Sequence, residues 1–333
     1  MPLHYLSSRQ EYKICDRIVY TCSINRSLPW LVVVNPAAGK GRFEQQRERW
    51  QSRIRTVLPQ ARFITTRPEG GLANAIEAAQ AEGLGGVLAV GGDGTAHQVV
   101  NALLQVKERT GEDILLALLP LGTGNDWIRT HGIPRRWRAW RAMFLRGHIR
   151  WQNLGLLHYQ TLQGKAAQCY FLNVAGLAYD AFVVREVAQA NGRGGKLLYL
   201  WATLRSLFKY TPQAARLTWP NAEASARYYT INLGIGRYSG GGMQLVPQAN
   251  PQGEKMALTF VERISRLRVL LNSWRFYRGW VAGLKEAQLT EAAEVTIEGV
   301  DNNDPILLEA DGEFLGQTPV RVTLVARGLW FVA

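Results

Sequence analysis

The chain has 333 residues, 47% hydrophobic and 20% charged, an ordinary globular composition long enough for two domains. Thirty-nine Lys and Arg against 26 Asp and Glu give a net charge of +13, which points to an anionic partner such as nucleic acid, a membrane surface or a nucleotide. Three cysteines (Cys15, Cys22 and Cys169) make neither a disulfide framework nor a metal-ligand set, and no run of about 18 uncharged apolar residues could cross a bilayer.

Residues 1–27 carry no motif beyond a short strand expected around Ile18–Cys22, and Met1–Pro29 is too charged throughout for a signal peptide. The expected location is cytoplasmic, with any membrane contact peripheral, at the inner face. Trp30-Leu-Val-Val-Val34 reads as a buried strand ending in Asn35-Pro-Ala-Ala-Gly-Lys-Gly41, a glycine turn that opens a charged helix running to about Leu58. Lys40 is followed by Gly41 and Arg42, so the turn is not the Walker phosphate loop. Ala61–Thr65, with Thr66 after it, reads as a strand and Gly71–Ala81 as a helix.

Gly86–Val90 is a third apolar strand. It runs into Gly91-Gly92-Asp93-Gly94-Thr95, and a helical pattern with Ala96, Val99, Val100, Leu103 and Leu104 leaves the loop. Glycines at a strand's end and a helix's start let backbone amides approach a phosphate. Asp93 would repel that phosphate unless a cation bridges them, and Mg²⁺ suits both oxygens. The same residues also fit a tight turn with Asp93 as a helix cap. Ile114–Leu119 is the fourth strand, ending in Pro120-Leu-Gly122-Thr123-Gly124-Asn125-Asp126. Four strands alternating with helices predict a doubly wound, mainly parallel α/β domain over 28–150, with its glycine loops at the strands' carboxyl ends.

From Trp127 to Tyr179 there is no acid but there are eight basic residues: Arg129, Arg135, Arg136, Arg138, Arg141, Arg146, Arg150 and Lys165. Trp137, Trp140, Met143, Phe144 and Leu145 interleave with them. This pattern fits a helix lying on an anionic membrane surface, and it fits equally a solvated basic face over a core stripe. No nucleic-acid-binding module accompanies the charge, so nucleic acid is not expected as a partner. Beyond about 150, short β-rich segments separated by turns predict an antiparallel β-sandwich domain over 151–327, with 328–333 returning to the first domain. Lys196–Tyr210 and Ser265–Ala287 read as amphipathic helices that either lie on a membrane, cover an acyl-chain cavity or pack on the sheet.

Asn35–Gly41, Gly91–Thr95, Pro120–Asp126 and Glu309-Ala-Asp-Gly-Glu313 occur in one order, with Phe171-Leu-Asn-Val-Ala-Gly176, Asp180 and Gly240-Gly-Gly-Met243 between the last two. With these stretches the chain resembles the diacylglycerol-kinase catalytic-domain superfamily, and within it the soluble bacterial lipid kinases similar to sphingosine and ceramide kinases. The resemblance implies ATP bound in a cleft between an α/β and a β-sandwich domain, with its γ-phosphoryl transferred to a lipid alcohol such as diacylglycerol. It implies nucleotide contacts from Asn35, Thr66, Gly91, Gly92, Asp93, Gly94, Thr95, Gly122, Thr123, Asn125 and Glu313. Asp93 and Asp126 would belong to a Mg²⁺-linked network, with Asp93 also counted as catalytic, and Asp311 would be the general base. As an Asp-Gly between β-forming runs, Asp311 also reads as a hairpin turn.

Two departures stand out. Where the family has an Asp-Gly-Leu turn holding a structural Mg²⁺, this chain has Gln252-Gly253-Glu254-Lys255, and after Thr95 it has His97-Gln98 in place of Asn-Glu. They keep open a lipid-binding protein on a decayed kinase scaffold, and Gly-Gly-Asp-Gly alone would also fit an NAD kinase. Oligomeric state is not legible.

Overall fold

The computed structural model describes residues 11–14, 17–21, 24–66, 71–189, 205–301 and 304–333. The chain divides into two compact units, Met1–Gln152 with Arg327–Ala333, and Asn153–Ala326.

The first unit begins with an antiparallel hairpin of β1 (Glu11–Ile14) and β2 (Arg17–Thr21). Then follow β3 (Trp30–Val34), α1 (Ala38–Gln45), α2 (Arg47–Arg55), β4 (Ala61–Thr65), α3 (Leu72–Ala81), β5 (Gly86–Gly91), α4 (Asp93–Thr110) and β6 (Leu116–Pro120). Next come α5 (Asp126–His131), α6 (Trp137–Arg146) and the start of β7 (His148–Gln160). Strands β3 to β6 pair in parallel in the order β4-β3-β5-β6. Every residue of β3, β5 and β6 is buried, which is why these strands appear in the sequence as unbroken apolar runs. Phe331, near the carboxyl end, pairs in parallel with Leu116. The strand order reverses between β3 and β5, so the loops leaving these two strands lie at a topological switch point.

In α4 the predicted stripe is the buried face, Ala96, Val99, Val100, Leu103 and Leu104. Gly111, at φ 75, stops the helix in the left-handed conformation and donates its N–H to the Lys107 carbonyl.

At α6 the rings of the basic-aromatic stretch face inward. Trp140 and Phe144 are wholly buried and stacked at 5.0 Å, Phe144 meets the edge of Trp30 at 5.5 Å, and Trp140 Nε1 donates to the Leu118 carbonyl at 2.8 Å. Arg138, Arg141 and Arg146 are exposed on the opposite side. The aromatics are core, and the arginines are a solvated face.

The second unit holds the rest of β7, then β8 (Ala166–Phe171), β9 (Val174–Ala178), α7 (Tyr179–Gln189), β10 (Gln213–Trp219), β11 (Ala222–Gly234) and β12 (Met256–Glu262). It continues with α8 (Arg266–Arg278), β13 (Ala287–Ala292), β14 (Glu294–Gly299), β15 (Leu307–Ala310) and most of β16 (Glu313–Val332). The pairing is antiparallel and runs in a closed circuit, from β11 through β10, β14, β16, β15 and β9 back to β11. Closure leaves few unpaired strand edges. Phe171, Leu217, Tyr228, Ile231, Phe260, Ile297 and Val322 belong to its core.

Two expectations change in this unit, and a third falls mostly on residues not described. The segment expected as one strand over Gln168–Val174 is broken at Leu172-Asn173, whose amides bond a side chain instead of a neighbouring strand. The helix expected over Ser265–Ala287 stops at Gly279 (φ 68), and β13 begins at Ala287. The helix expected over Lys196–Tyr210 lies mostly outside the described residues.

The assignment of α6 to the core predicts that Trp140→Ala lowers stability by about 3–5 kcal/mol, whereas Arg141→Ala leaves the melting temperature within about a degree. Thermal denaturation of both variants checks this, and equal, small effects would restore the surface reading of the helix.

Candidate active site

The loop after β3 is tied down by its first residue. The Asn35 side chain accepts from the Ala37 N–H at 3.0 Å, an Asx turn, and donates through Nδ2 to Thr95 Oγ1 at 3.1 Å. Three consecutive residues, Gly39, Lys40 and Gly41, then take the left-handed conformation (φ 60, 63 and 74). The expected helix therefore becomes regular only after them. A Cβ on Gly39 would lie 2.1 Å from the Leu121 carbonyl oxygen, so this turn packs directly on the loop after β6. Thr66 donates its backbone N–H to Val34 at the end of β3.

The two glycine loops at the ends of β5 and β6 meet backbone to backbone. A Cβ on Gly122 would stand 2.3 Å from the Gly92 Cα, and one on Gly91 would stand 2.1 Å from Thr95 Oγ1. Leu121 and Gly122 both donate N–H groups to the Gly91 carbonyl, at 2.8 and 3.0 Å. Only glycine permits this approach. Gly92 is the residue that caps α4, and no side chain caps that helix. Its first-turn amides, which have no intrahelical partner, and the positive end of an 18-residue helix thus open on the loop pair.

Asp93 does not cap its own helix. Its Oδ1 accepts from the Trp127 N–H, in the first turn of α5, at 3.0 Å. A Cβ on Gly124 would lie 3.0 Å from Asp93 Oδ2 and 3.7 Å from Asp126 Oδ2, so the two carboxylates flank a space kept clear by the missing side chain. Asp126 is buried and lies 3.6 Å from the Arg129 guanidinium. Asn125, left-handed at φ 55, donates to the Gly122 carbonyl at 2.7 Å, and its buried Oδ1 accepts no hydrogen bond among the described residues. Thr123 is exposed and Gly94 half-buried. The oxygen donors around Gly124 fit a hard cation such as Mg²⁺, with two carboxylates available and phosphate oxygens to complete the set. No cluster of three metal-ligating side chains occurs among the described residues.

In the second unit, Asp311-Gly312 is the two-residue turn between β15 and β16, with φ 52 and 87, as a type I′ hairpin requires. The hairpin reading of Asp311 is therefore correct as far as it goes. Its carboxylate does more, accepting from the Leu172 N–H through Oδ2 at 2.9 Å and from the Asn173 N–H through Oδ1 at 2.8 Å. Glu309, almost wholly buried, accepts from the Gly312 N–H at 2.9 Å and so braces the same turn. Glu313 is exposed at the start of β16.

Next to the turn lies a polar cluster in which Gly176, Asp180 and Glu309 of the motif stretches meet Thr230 and Asn232, which no motif announced. A Cβ on Gly176 would stand 2.6 Å from Glu309 Oε1 and 2.9 Å from the Asp180 Cβ. Thr230 donates to Asp180, and Asn232 donates to Thr230 Oγ1 at 2.9 Å. Burial pushes the Asp180 carboxyl above its ordinary range, against the lowering effect of its bonds to Thr230 and Asn232. Burial likewise raises the phenols of Tyr179, Tyr210 and Tyr229. The Gln252–Lys255 turn is held without acidic groups. Asn153 donates to the Gly253 carbonyl at 2.5 Å, Asn250 accepts from the Gln252 N–H at 3.1 Å, and Glu254 and Lys255 are exposed.

These two units match two family models. Residues 29–156 match the diacylglycerol kinase catalytic domain, and residues 173–332 match the YegS C-terminal NAD kinase beta sandwich-like domain. YtlR of Bacillus subtilis, whose name carries the description lipid kinase, is 25% identical over 308 residues, 88% of this chain and 96% of its own. A solved Bacillus anthracis structure described as a diacylglycerol kinase shares the fold, with a TM-score of 0.70 at 18% identity over 91% of this chain and 96% of its own. A yeast NADH kinase shares it more distantly, at a TM-score of 0.51 and 11% identity, covering 99% of this chain and 91% of its own. The molecule is an ATP-dependent kinase. It belongs to the diacylglycerol-kinase catalytic-domain superfamily, in the lipid-kinase family that includes YtlR and YegS.

A carboxyl whose pKa is raised in the fold, as burial raises that of Asp180, contributes stability at low pH, which is lost as pH rises from the ordinary carboxylate value through the raised one. Asp180→Asn, which keeps the shape and removes the charge, should therefore gain stability relative to the wild type as pH goes from about 4 to 7. Melting curves of both proteins across that range check the prediction, and a pH-independent difference would contradict it.

Proposed function

We propose that this kinase transfers the γ-phosphoryl group of ATP to the hydroxyl of a membrane lipid, with diacylglycerol the first candidate, using Asp311 as general base. The observation that carries the nucleotide half is the contact between Gly92 and Gly122, which brings two amide-bearing loops to the ends of β5 and β6 with the Asp93 and Asp126 carboxylates around Gly124. On this reading Asn35 and Thr95 fix the loops against each other, while the amides of Gly92 to Thr95 and of the Gly122–Asn125 loop receive phosphate oxygens. Thr66 and Thr123 supply hydroxyls at the rim. Mg²⁺, when bound between Asp93 and Asp126, would neutralise phosphate charge, which is the larger part of catalysing phosphoryl transfer.

The acceptor half rests on Asp311. A general base must hold one direction while it takes a proton. The Leu172 and Asn173 amides hold this carboxylate in a fixed orientation, and Glu309 steadies the turn behind it. The carboxylate takes the lipid hydroxyl's proton as its oxygen bonds to the γ-phosphorus and the bond from that phosphorus to the departing ADP breaks. Exposed Glu313 is a further nucleotide contact on this reading. The place of action we propose is the inner face of the cell membrane, reached peripherally.

The test is radiolabelled γ-phosphate transfer to a panel of lipid alcohols dispersed in detergent, at graded Mg²⁺. Asp311→Asn should lose about 10²–10⁴ in rate at temperatures where its melting curve shows it folded. The melting curve should itself fall, since the amide cannot accept from both backbone N–H groups. A folded Asp311→Asn with wild-type rate would sink the base assignment. Transfer to no lipid at any Mg²⁺ concentration, with NADP formed from NAD and ATP instead, would sink the lipid reading.

A further inference from the structure

Helix α8 is turned the wrong way for a helix that packs on a protein core. Its partly buried positions are Val269, Asn272, Arg275 and Phe276, and none of its residues is fully buried. Outward stand Leu267, Leu270, Leu271, Trp274 and Tyr277, with exposures of 65, 47, 63, 48 and 58%. At i, i+3, i+4, i+7 and i+10 these form one continuous stripe. Trp280, just past the helix and 53% exposed, extends the stripe, its ring 5.5 Å from that of Trp274. An apolar surface of this kind on a folded unit marks a place of contact.

The charge around the stripe selects the contact. Ser265–Lys285 contains Arg266, Arg268, Arg275, Arg278 and Lys285 and no acidic residue; Arg268 pairs with Glu286 and Arg275 donates to the Gly283 carbonyl, so Arg266 and Arg278 are the charges assigned to the contact. On the helical wheel Arg266 flanks the stripe on one side and Arg268 and Arg275 on the other. The Arg275 guanidinium lies 5.6 Å from the Trp274 ring centre, and Arg278 lies 5.7 Å from that of Trp280. A second copy of the same face would bring arginine against arginine. A bilayer with anionic headgroups takes both parts, with the leucines entering the acyl boundary, the tryptophans resting at headgroup depth and the arginines reaching phosphates. At 13 residues α8 is too short to span, and no described helix is long and apolar enough to do so.

We infer that α8, with Trp280, is the element through which the β-rich unit docks in the plane of an anionic membrane surface. The inference deepens the lipid-kinase proposal by naming the part of the chain that meets the substrate's own phase.

The experiment is co-sedimentation of the full chain with vesicles of phosphatidylcholine alone or mixed with phosphatidylglycerol. The wild type should partition to the mixed vesicles and release at high salt. Leu271→Glu combined with Trp274→Glu should bind at least about tenfold more weakly. Its melting temperature should be unchanged, because both side chains are exposed. Arg266→Gln with Arg278→Gln should lose the preference for phosphatidylglycerol. Unchanged binding by the double glutamate variant would overturn the inference, as would a wild type that binds neither vesicle. Loss of self-association in that variant with vesicle binding intact would overturn it too, and assign the face to a second copy. Transfer to detergent-dispersed lipid is measured separately. Docking through α8 without transfer would leave the inference standing and remove the kinase substrate proposal, and transfer without α8-dependent docking would do the reverse.

Discussion

The first unit depends on a contact that contains no side chain at all. Gly92 and Gly122 come so close that a methyl group on either meets the other's backbone, and Gly39 closes on Leu121 in the same way. Such contacts are available only to glycine, and they bring three loops, from three adjacent parallel strands, into one cluster. Everything polar in the unit's site is arranged by this closeness. Asn35 reaches Thr95 because Gly91 leaves room for that hydroxyl, and Asp93 reaches the first turn of α5 because Gly124 stands aside. A carboxylate placed on a neighbouring helix's amino end is stabilised there by the helix dipole. So Asp93 serves the fold even before any nucleotide or metal is considered.

The second unit organises its site differently, with carboxylates below glycine turns. Asp311 closes a tight hairpin and at the same time takes two backbone amides from a strand break far away in sequence. Glu309 braces the turn from within the core, and Asp180 lies in the same polar cluster with its carboxyl pKa raised by burial. Buried acids are costly unless hydrogen-bonded or protonated, and here Thr230 donates to Asp180 and the Gly312 N–H to Glu309. The arrangement resembles the way active sites hold strained or buried charge where chemistry needs it.

Much of this was legible in the sequence, for physical reasons. Strands β3, β5 and β6 are buried along their whole length, so they had to be apolar throughout, and their loops had to carry glycine where backbones touch. The Asp311-Gly312 turn announced itself by a dipeptide that suits left-handed backbone. Its partners did not, since Leu172 and Asn173 lie 139 and 138 residues away and bond through amides that every residue possesses. Helix α6 was ambiguous because alternating arginine and tryptophan looks the same whether the rings face a core or a membrane. Only the tertiary contact of Trp140 and Phe144 with Trp30 and Leu118 separates the two. In α8 the same composition faces the other way. The left-handed run Gly39-Lys40-Gly41 was hidden because Lys40 gives no sign of the conformation its neighbours impose, and β13 was hidden because its half-buried, mixed sequence lacks a clean alternation.

On the proposed reading the paired glycine loops are the phosphate cradle, and Asp93 and Asp126 hold its cation. A crystal structure of the protein with Mg²⁺ and a non-hydrolysable ATP analogue is the decisive measurement. Phosphate oxygens on the amides of Gly92 to Thr95 and a metal ion within bonding distance of both carboxylates are expected. A triphosphate bound elsewhere, or a metal ion that does not reach Asp93, would contradict this.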